Sequence, residues 1–140
     1  MTPAFADVAV GTSLPAQSFP VTRDHLVRYA GASGDFNPIH WNERFATSVG
    51  LPDVIAHGMF TMAEAARVVT DWTGDPGALK EFSVRFTRPV TVPNDDRGSV
   101  IEVSGEVTEL LDDRRVKVLL TATFEGQKIL GNAVAIVQLA

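Results

Sequence analysis

Residues 58–72 read GMFTMAEAARVVTDW, a proline-free and largely apolar stretch. Its apolar residues recur at the spacing of one helix face, which predicts an α-helix: Met59, Met62, Ala63, Ala66 and Val69. Other apolar side chains widen this face, so we expect burial on most sides, with Met59 and Met62 in the core. Gly74 and Pro76 then predict the end of the helix. At roughly 22 Å, this helix is long enough to run across a sheet.

Downstream of this helix the apolar spacing changes from helical to alternating. Phe82, Val84 and Phe86 alternate with polar residues, which predicts a strand with these three side chains on one face. Three further runs are rich in β-branched and aliphatic residues and predict strands joined by hairpin turns: Ser99–Leu111, Arg115–Phe124 and Lys128–Leu139. One buried helix with an antiparallel sheet is an α+β architecture.

The residues before the long helix predict one strand and two shorter helices. We expect the strand over Gln17–Val21 and, with Thr22 as N-cap, a helix over Arg23–Ala32. A second helix over Glu43–Val49 follows. The loop between these two helices contains the residues with the clearest chemistry.

Composition limits the class of protein. The 140 residues fit one domain, 1–140, and 12 basic against 17 acidic residues without a basic run make nucleic acid a poor partner. Cysteine is absent, which excludes disulfides and thiol nucleophiles and agrees with a cytoplasmic location. The first twenty residues lack a signal-peptide pattern, and no run approaches the ~20 apolar residues of a membrane span, so we expect no membrane insertion.

The loop segment 33–40 reads SGDFNPIH and holds an acid and an imidazole five residues apart. Pro38 prevents the segment from continuing as a helix. On an ideal helix residues five apart point to different sides, whereas a bent loop lets Asp35 and His40 converge on one small molecule. A carboxyl group and an imidazole differ enough in acidity to take separate roles in proton transfer. One water molecule is the obvious candidate.

This segment resembles the signature of the MaoC-like family of (R)-specific enoyl-thioester hydratases and dehydratases. The resemblance covers nearly the whole chain and includes Tyr29–His40, Ala56-His57-Gly58-Met59, Val84-Arg85-Phe86 and Pro89-Val90. Within the family the chain is similar to the catalytic B-type subunits of mycobacterial fatty-acid-elongation (3R)-hydroxyacyl-ACP dehydratases, through residues 38–41, 74–77 and 92–95. The family implies a single hot-dog domain, in which the sheet wraps around the long central helix.

The resemblance also implies a reaction and the residues that perform it. Water adds reversibly to a trans-2-enoyl thioester to give a (3R)-3-hydroxyacyl thioester, with Asp35 and His40 holding and activating the water. Negative charge develops on the thioester oxygen, and a helix N-terminus favours such charge, so we assign the Gly58 amide to the oxyanion hole. We expect Asn37 to orient the loop rather than touch substrate. His57 is expected to cap the helix or pack, with a catalytic side chain as the alternative.

The charged side chains do not distinguish a role in substrate binding from simple exposure to solvent. Arg85 and Arg88 can contact the phosphates of coenzyme A or of the phosphopantetheine on an acyl carrier protein, although a solvated sheet face explains each equally well. Either carrier arrives as part of the substrate, so no separate cofactor is expected. The three histidines are widely spaced and cysteine is absent, which predicts no metal site.

Two other functions and two assemblies stay open. A hot-dog acyl thioesterase would want an acid on the central helix, where Glu64 is the only candidate in the first turns, and Asp35 and His40 would then have no role. A non-catalytic acyl-thioester-binding subunit would not need that pair either. The resemblance implies a site between two subunits whose sheets join edge to edge, as a homodimer or as a heterodimer with a second hot-dog subunit.

Overall fold

Six antiparallel strands form the sheet, because the second half of the chain alternates buried and exposed residues almost without interruption. Five strands follow the order β1-β3-β4-β6-β2, and β5 pairs with β4. The computed structural model describes residues 1–140 and gives these bounds: β1 Ser13–Val21, β2 Leu79–Phe86, β3 Ser99–Leu111, β4 Arg115–Phe124, β5 Gln127–Lys128 and β6 Leu130–Gln138. The strands β1 and β2 therefore form the two edges of the sheet.

Two of the four predicted downstream strands match in both bounds, and the last one differs. β3 and β4 match because their side chains alternate regularly between core and solvent. The predicted strand over 128–139 is divided into β5 and β6 at Ile129, whose N–H donates to the Ala122 carbonyl. β1 begins earlier than expected, and a bulge between Leu14 and Gln17 shifts its pairing with β3.

The helices lie where the sequence predicts them, within a residue or two at their ends: α1 Arg23–Ser33, α2 Glu43–Ser48 and α3 Gly58–Thr73. Asn42 caps α2, since its side-chain oxygen accepts the Phe45 N–H at 3.0 Å. Gly74 ends α3 with a φ of 65°, a conformation that glycine adopts without a Cβ penalty. None of the helices is both long and apolar enough to cross a membrane.

The central helix α3 is less buried than its apolar sequence predicts. It buries one stripe against the sheet: Thr61, Ala65, Val68, Val69 and Thr73. Of the five apolar residues that predict the helix face, only Val69 is buried. Met59 is 57% exposed and Met62 lies outside the core cluster, so the expectation that both fill the core is wrong. The sheet packs on only one side of the helix, and small side chains on that side let helix and sheet approach closely.

Arg23 ties together the segments that flank the loop 34–42. Its Nε donates to the Val92 carbonyl at 2.6 Å. One terminal nitrogen contacts Glu43 at 2.7 Å and Asp53 at 2.8 Å. This side chain is only 20% exposed, so the guanidinium holds the start of α1 against the start of α2. These contacts fix the end of the loop that enters α2, and at the other end the Gly34 N–H donates to the Ala30 carbonyl and closes α1.

Candidate active site

Two successive side-chain turns shape the loop between α1 and α2. Helix α1 ends at Gly34, whose φ is 76°. The Asp35 Oδ1 then accepts the Asn37 N–H at 3.2 Å, and the Asn37 Oδ1 accepts the Ile39 N–H, also at 3.2 Å. Asn37 therefore makes the loop contact expected of an orienting residue. With Oδ1 engaged, Asp35 presents Oδ2 to the other side of the loop.

His40 faces that oxygen with a free nitrogen. Its Nδ1 lies 2.6 Å from the Ile55 carbonyl, which can only accept, so Nδ1 carries the proton and Nε2 keeps a lone pair. The His40 Nε2 lies 3.9 Å from the Asp35 Oδ2. Since this exceeds a direct hydrogen bond, a single water oxygen at ~2.8 Å from each atom fits the separation. The sequence prediction that the two groups converge is met by the geometry.

The two groups differ sharply in exposure. His40 is 7% exposed, whereas the Asp35 side chain is 53% exposed. Burial lowers the pKa of His40 below its ordinary 6.5; the Ile55 carbonyl opposes this shift, the nearby His57 adds to it, and Asp35 opposes it more weakly. His40 is therefore neutral near pH 7, with its lone pair available to accept a proton.

His57 is the most enclosed polar side chain near the pair, at 1% exposed. Its ring stacks on His40 with centroids 3.8 Å apart and meets the edge of Tyr29 at 4.7 Å. Its Nε2 donates to the Asp35 carbonyl at 3.0 Å, and its Nδ1 has no hydrogen-bond partner. His57 occupies the N-cap position of α3 without making a side-chain cap bond, so it packs and holds the loop instead of capping.

The expectation that the histidines are too widely spaced to form a ligand cluster is wrong. Folding brings Asp35, His40 and His57 together, each with a potential metal-ligand atom within 4.8 Å of the others. One nitrogen of each ring already donates to a backbone carbonyl, which leaves a single lone pair per ring. The lone pair of His40 is the one that a proton transfer from water would use.

Gly58 opens α3 beside this cluster. Its N–H is at the first helical position, where no preceding turn provides an acceptor, and the helix dipole favours an anionic group there. The space beside its Cα is filled by Phe86: a Cβ at position 58 would lie 3.0 Å from the ring atoms Cδ1 and Cε1. The structure thus gives glycine at this position a steric reason that the sequence did not reveal.

One pocket of about 610 Å³ is lined by Asp35, His40, His57 and Gly58 but not by Asn37. Its buried wall contains Ala56, Thr61, Val90, Ile129 and Leu130, and its exposed rim contains Ser33, Met59, Phe86, Thr87 and Arg88. Of the two candidate phosphate contacts, Arg88 lines the pocket and Arg85 does not. Glu64, the acid a thioesterase would use, lies outside the pocket and contacts Arg67 at 2.9 Å.

Sequence reasoning missed three contributors to the site. Ile55 acts through its backbone carbonyl, which no side-chain pattern indicates. Tyr29 packs on His57. It lies inside the segment that resembles the family signature, and this position could have indicated a place in the site. Phe86 was expected only to share a face of its strand with Phe82 and Val84, which did not indicate its place at the pocket rim, where it is 55% exposed.

An antiparallel sheet packed on one long helix, with the acid–imidazole pair on the loop before that helix, defines a hot-dog domain. The chain belongs to the MaoC like domain family, whose model matches residues 6–123.

The chain is similar to several named proteins. It is 45% identical over 80 residues to 3-hydroxyacyl-thioester dehydratase X of Mycobacterium tuberculosis, covering 56% of this chain and 27% of that protein. It is 30% identical to the 3-hydroxybutyryl-CoA dehydratase of Methylorubrum extorquens over 96% of this chain and 82% of that protein.

Solved structures give the same result for the fold. A MaoC-like dehydratase superposes with a TM-score of 0.95 and 44% identity, covering 99% of this chain and 43% of that one. The unliganded R-hydratase from Pseudomonas aeruginosa superposes with a TM-score of 0.83 and 26% identity, covering 97% and 84%. The chain thus spans less than half the length of dehydratase X and of the MaoC-like dehydratase.

Proposed function

We propose that this chain is an (R)-specific enoyl-thioester hydratase, equally a (3R)-3-hydroxyacyl-thioester dehydratase in the reverse direction. The observation that carries the proposal is the 3.9 Å separation between the Asp35 Oδ2 and the His40 Nε2 in a pocket that the Gly58 amide also lines. Family membership and the dehydratase and hydratase names of its relatives support the same reaction.

In the hydration direction, the pair holds one water beside the β-carbon of the enoyl group. The free lone pair of the His40 Nε2 accepts a proton as the water oxygen bonds to that carbon, and Asp35 orients the water and balances the charge on the imidazole. The α-carbon then receives a proton from the pair on the same face. One water is added and the pair ends in its starting protonation state.

Charge on the thioester oxygen peaks between these two proton transfers. The Gly58 N–H, unpaired at the helix start, donates to that oxygen, and the helix dipole adds to the stabilisation. Removing one such donor costs about 10²–10³ in turnover in enzymes that use oxyanion holes. Proton transfer and oxyanion stabilisation thus come from groups on this chain, so the proposed reaction uses no resident cofactor.

The thioester carrier enters over the exposed rim. Arg88 lines that rim and lacks a carboxylate partner, so it is the cation placed to meet a phosphate of coenzyme A or of phosphopantetheine. Arg85 lies one residue before Phe86 on the edge strand β2 and serves as a more distant contact. Both residues are exposed and free to follow a mobile carrier.

The 53% exposure of the Asp35 side chain supports an assembly in which a second hot-dog subunit covers the site. The edge strand β2 ends at the pocket rim and has one unpaired side, so it suits edge-to-edge pairing. We propose a dimer of this kind. Whether the second subunit is identical or a different chain decides how many pairs such as Asp35–His40 the assembly contains.

The test is hydration of crotonyl-CoA and of a long trans-2-enoyl-CoA by the purified chain, followed as loss of enoyl-thioester absorbance. We expect (3R)-3-hydroxyacyl-CoA on chiral analysis and a dimer by size. Hydration that yields the (3S) product refutes the stereochemical assignment. A folded chain that stays inactive alone, and also with a co-expressed partner subunit and with enoyl-acyl carrier protein, refutes the proposed function.

A further inference from the structure

Phe86 is placed to limit which acyl thioesters fit the pocket. It is 55% exposed, whereas Phe82 and Val84 on the same face of β2 are half-buried against the core. The pairing of β2 with β6 shifts register between Ser83 and Arg85, and Asn132 on β6 takes a φ of 47° at the same place. Beyond this bulge, the ring of Phe86 lies in the pocket wall.

The ring lies directly beside the proposed oxyanion donor. Two of its atoms are 3.0 Å from where a Cβ of residue 58 would be. Because a Cβ is about 2.5 Å from its own backbone nitrogen, the ring comes within roughly 5.5 Å of the Gly58 N–H. A thioester carbonyl bound there places its sulfur and its α-carbon within a few ångströms of its oxygen, and so beside the ring.

We propose that Phe86 sets the width of the pocket at the thioester and thereby disfavours acyl thioesters that carry a substituent on the α-carbon. This inference rests on the proposed function. An enoyl thioester is flat because its double bonds are conjugated, and its α-carbon carries only a hydrogen in that plane. A methyl group in place of this hydrogen widens the plane on the side of the sulfur, toward the ring that fills the space beside the Gly58 Cα.

The close approach to Gly58 leaves the ring little room to move toward α3. Its atoms Cδ1 and Cε1 fill the space that a Cβ of residue 58 would take, so extra width is obtained mainly by swinging the ring outward over the rim. A hydrophobic pocket that lacks room for one methyl group typically discriminates by about 10–200-fold in kcat/KM. The expected selectivity lies in that range.

The experiment compares kcat/KM for crotonyl-CoA and trans-2-methylbut-2-enoyl-CoA in the wild type, Phe86→Leu and Phe86→Ala. The change in the ratio between variants is the readout, since the lower intrinsic reactivity of the branched substrate cancels. We expect the ratio to shift toward the branched substrate by at least ~10-fold in Phe86→Ala and by less in Phe86→Leu. Phe45→Leu, an exposed phenylalanine outside the pocket, is the matched control and leaves the ratio unchanged.

Failure of this inference and failure of the proposed function give different results. If the wild type hydrates neither substrate, the function is wrong. If it hydrates crotonyl-CoA but the ratio moves less than twofold in both folded Phe86 variants, the role of Phe86 is wrong. A second arm measures kcat/KM for crotonyl-CoA in Gly58→Ala with and without Phe86→Leu. If Phe86→Leu partly restores the activity that Gly58→Ala loses, the role of Phe86 beside Gly58 is supported, and if the two losses simply add, it is contradicted.

Discussion

Replacing Asp35 by asparagine separates the chemistry of the loop from its structure. Asparagine keeps an oxygen at the Oδ1 position, so the contact with the Asn37 N–H survives and with it the turn. At the Oδ2 position it places a neutral amide 3.9 Å from the His40 Nε2, where a carboxylate stood. The substitution removes the negative charge and changes little else.

The expected stability change is small. The Asp35 side chain is 53% exposed and too far from His40 for a direct hydrogen bond, and pairs of this kind contribute less than about 1 kcal/mol. The free energy of unfolding in urea should therefore stay within ~1 kcal/mol of the wild type. Loss of the carboxylate also removes an influence that raises the pKa of His40, so that pKa falls further.

The expected change in turnover is large. Loss of a positioned acid–base group lowers kcat by at least ~100-fold, equivalent to about 2.7 kcal/mol of activation free energy. The assay is the loss of enoyl-thioester absorbance with crotonyl-CoA, and Asp96→Asn, an exposed aspartate in the loop 93–98, is the matched control. More than a tenth of wild-type activity in a folded Asp35→Asn protein would refute the assignment of Asp35.

Three further predictions test separate parts of the structure. Activity should fall on acidification with a midpoint below pH 6.5, because burial lowers the pKa of His40 and its neutral form accepts the proton. The unfolded chain binds more protons than the folded chain in that range, so the unfolding free energy should also fall as pH drops from 6.5 through the lowered pKa. A midpoint above 6.5 would contradict both expectations. His57→Phe keeps the ring stack but removes the hydrogen bond to the Asp35 carbonyl, so kcat should drop about tenfold. The midpoint of the pH–activity profile should move upward, because His57 no longer lowers the pKa of His40. An unchanged pH profile would reduce His57 to a packing role. Gly98→Ala should lower the unfolding free energy in urea by more than ~2 kcal/mol, since the φ of Gly98 is 64° and a Cβ would lie 2.0 Å from the Val21 carbonyl oxygen. The control is Gly126→Ala, where φ is 74° and the space is open, and it should lose only ~1 kcal/mol. Equal losses in the two variants would rule out the clash.

The sequence predicts the elements well and their environments less well. The strands β3 and β4 match because alternation of buried and exposed residues fixes both their existence and their faces. The helix α3 ends within one residue of its predicted end. The exposure of Met59 is not predicted, because apolar spacing does not say how many sides of a helix the sheet will cover. The exposure of Phe86 is not predicted either, because this residue shares a face of β2 with Phe82 and Val84 but lies at the end of the strand beside the pocket, outside the core cluster.

The candidate site divides in the same way. Asp35 and His40 converge because Pro38 and two side-chain turns bend one short segment, and each of these features is visible in the sequence. The stack of His40 on His57 is not visible in the sequence, because it depends on pairing between distant segments. The Ile55 N–H donates to the Ile39 carbonyl at 3.1 Å, which holds the segment before α3 beside the loop.

The locality of the loop has a consequence for mixed assemblies. Asp35 and His40 lie on one short continuous segment between α1 and α2 of the same chain, so neither group is shared between copies. A mixture of Asp35→Asn and His40→Ala chains therefore contains no intact pair in any subunit arrangement. Co-expression of the two inactive chains cannot restore turnover, whereas adding wild-type chains restores it in proportion to their number.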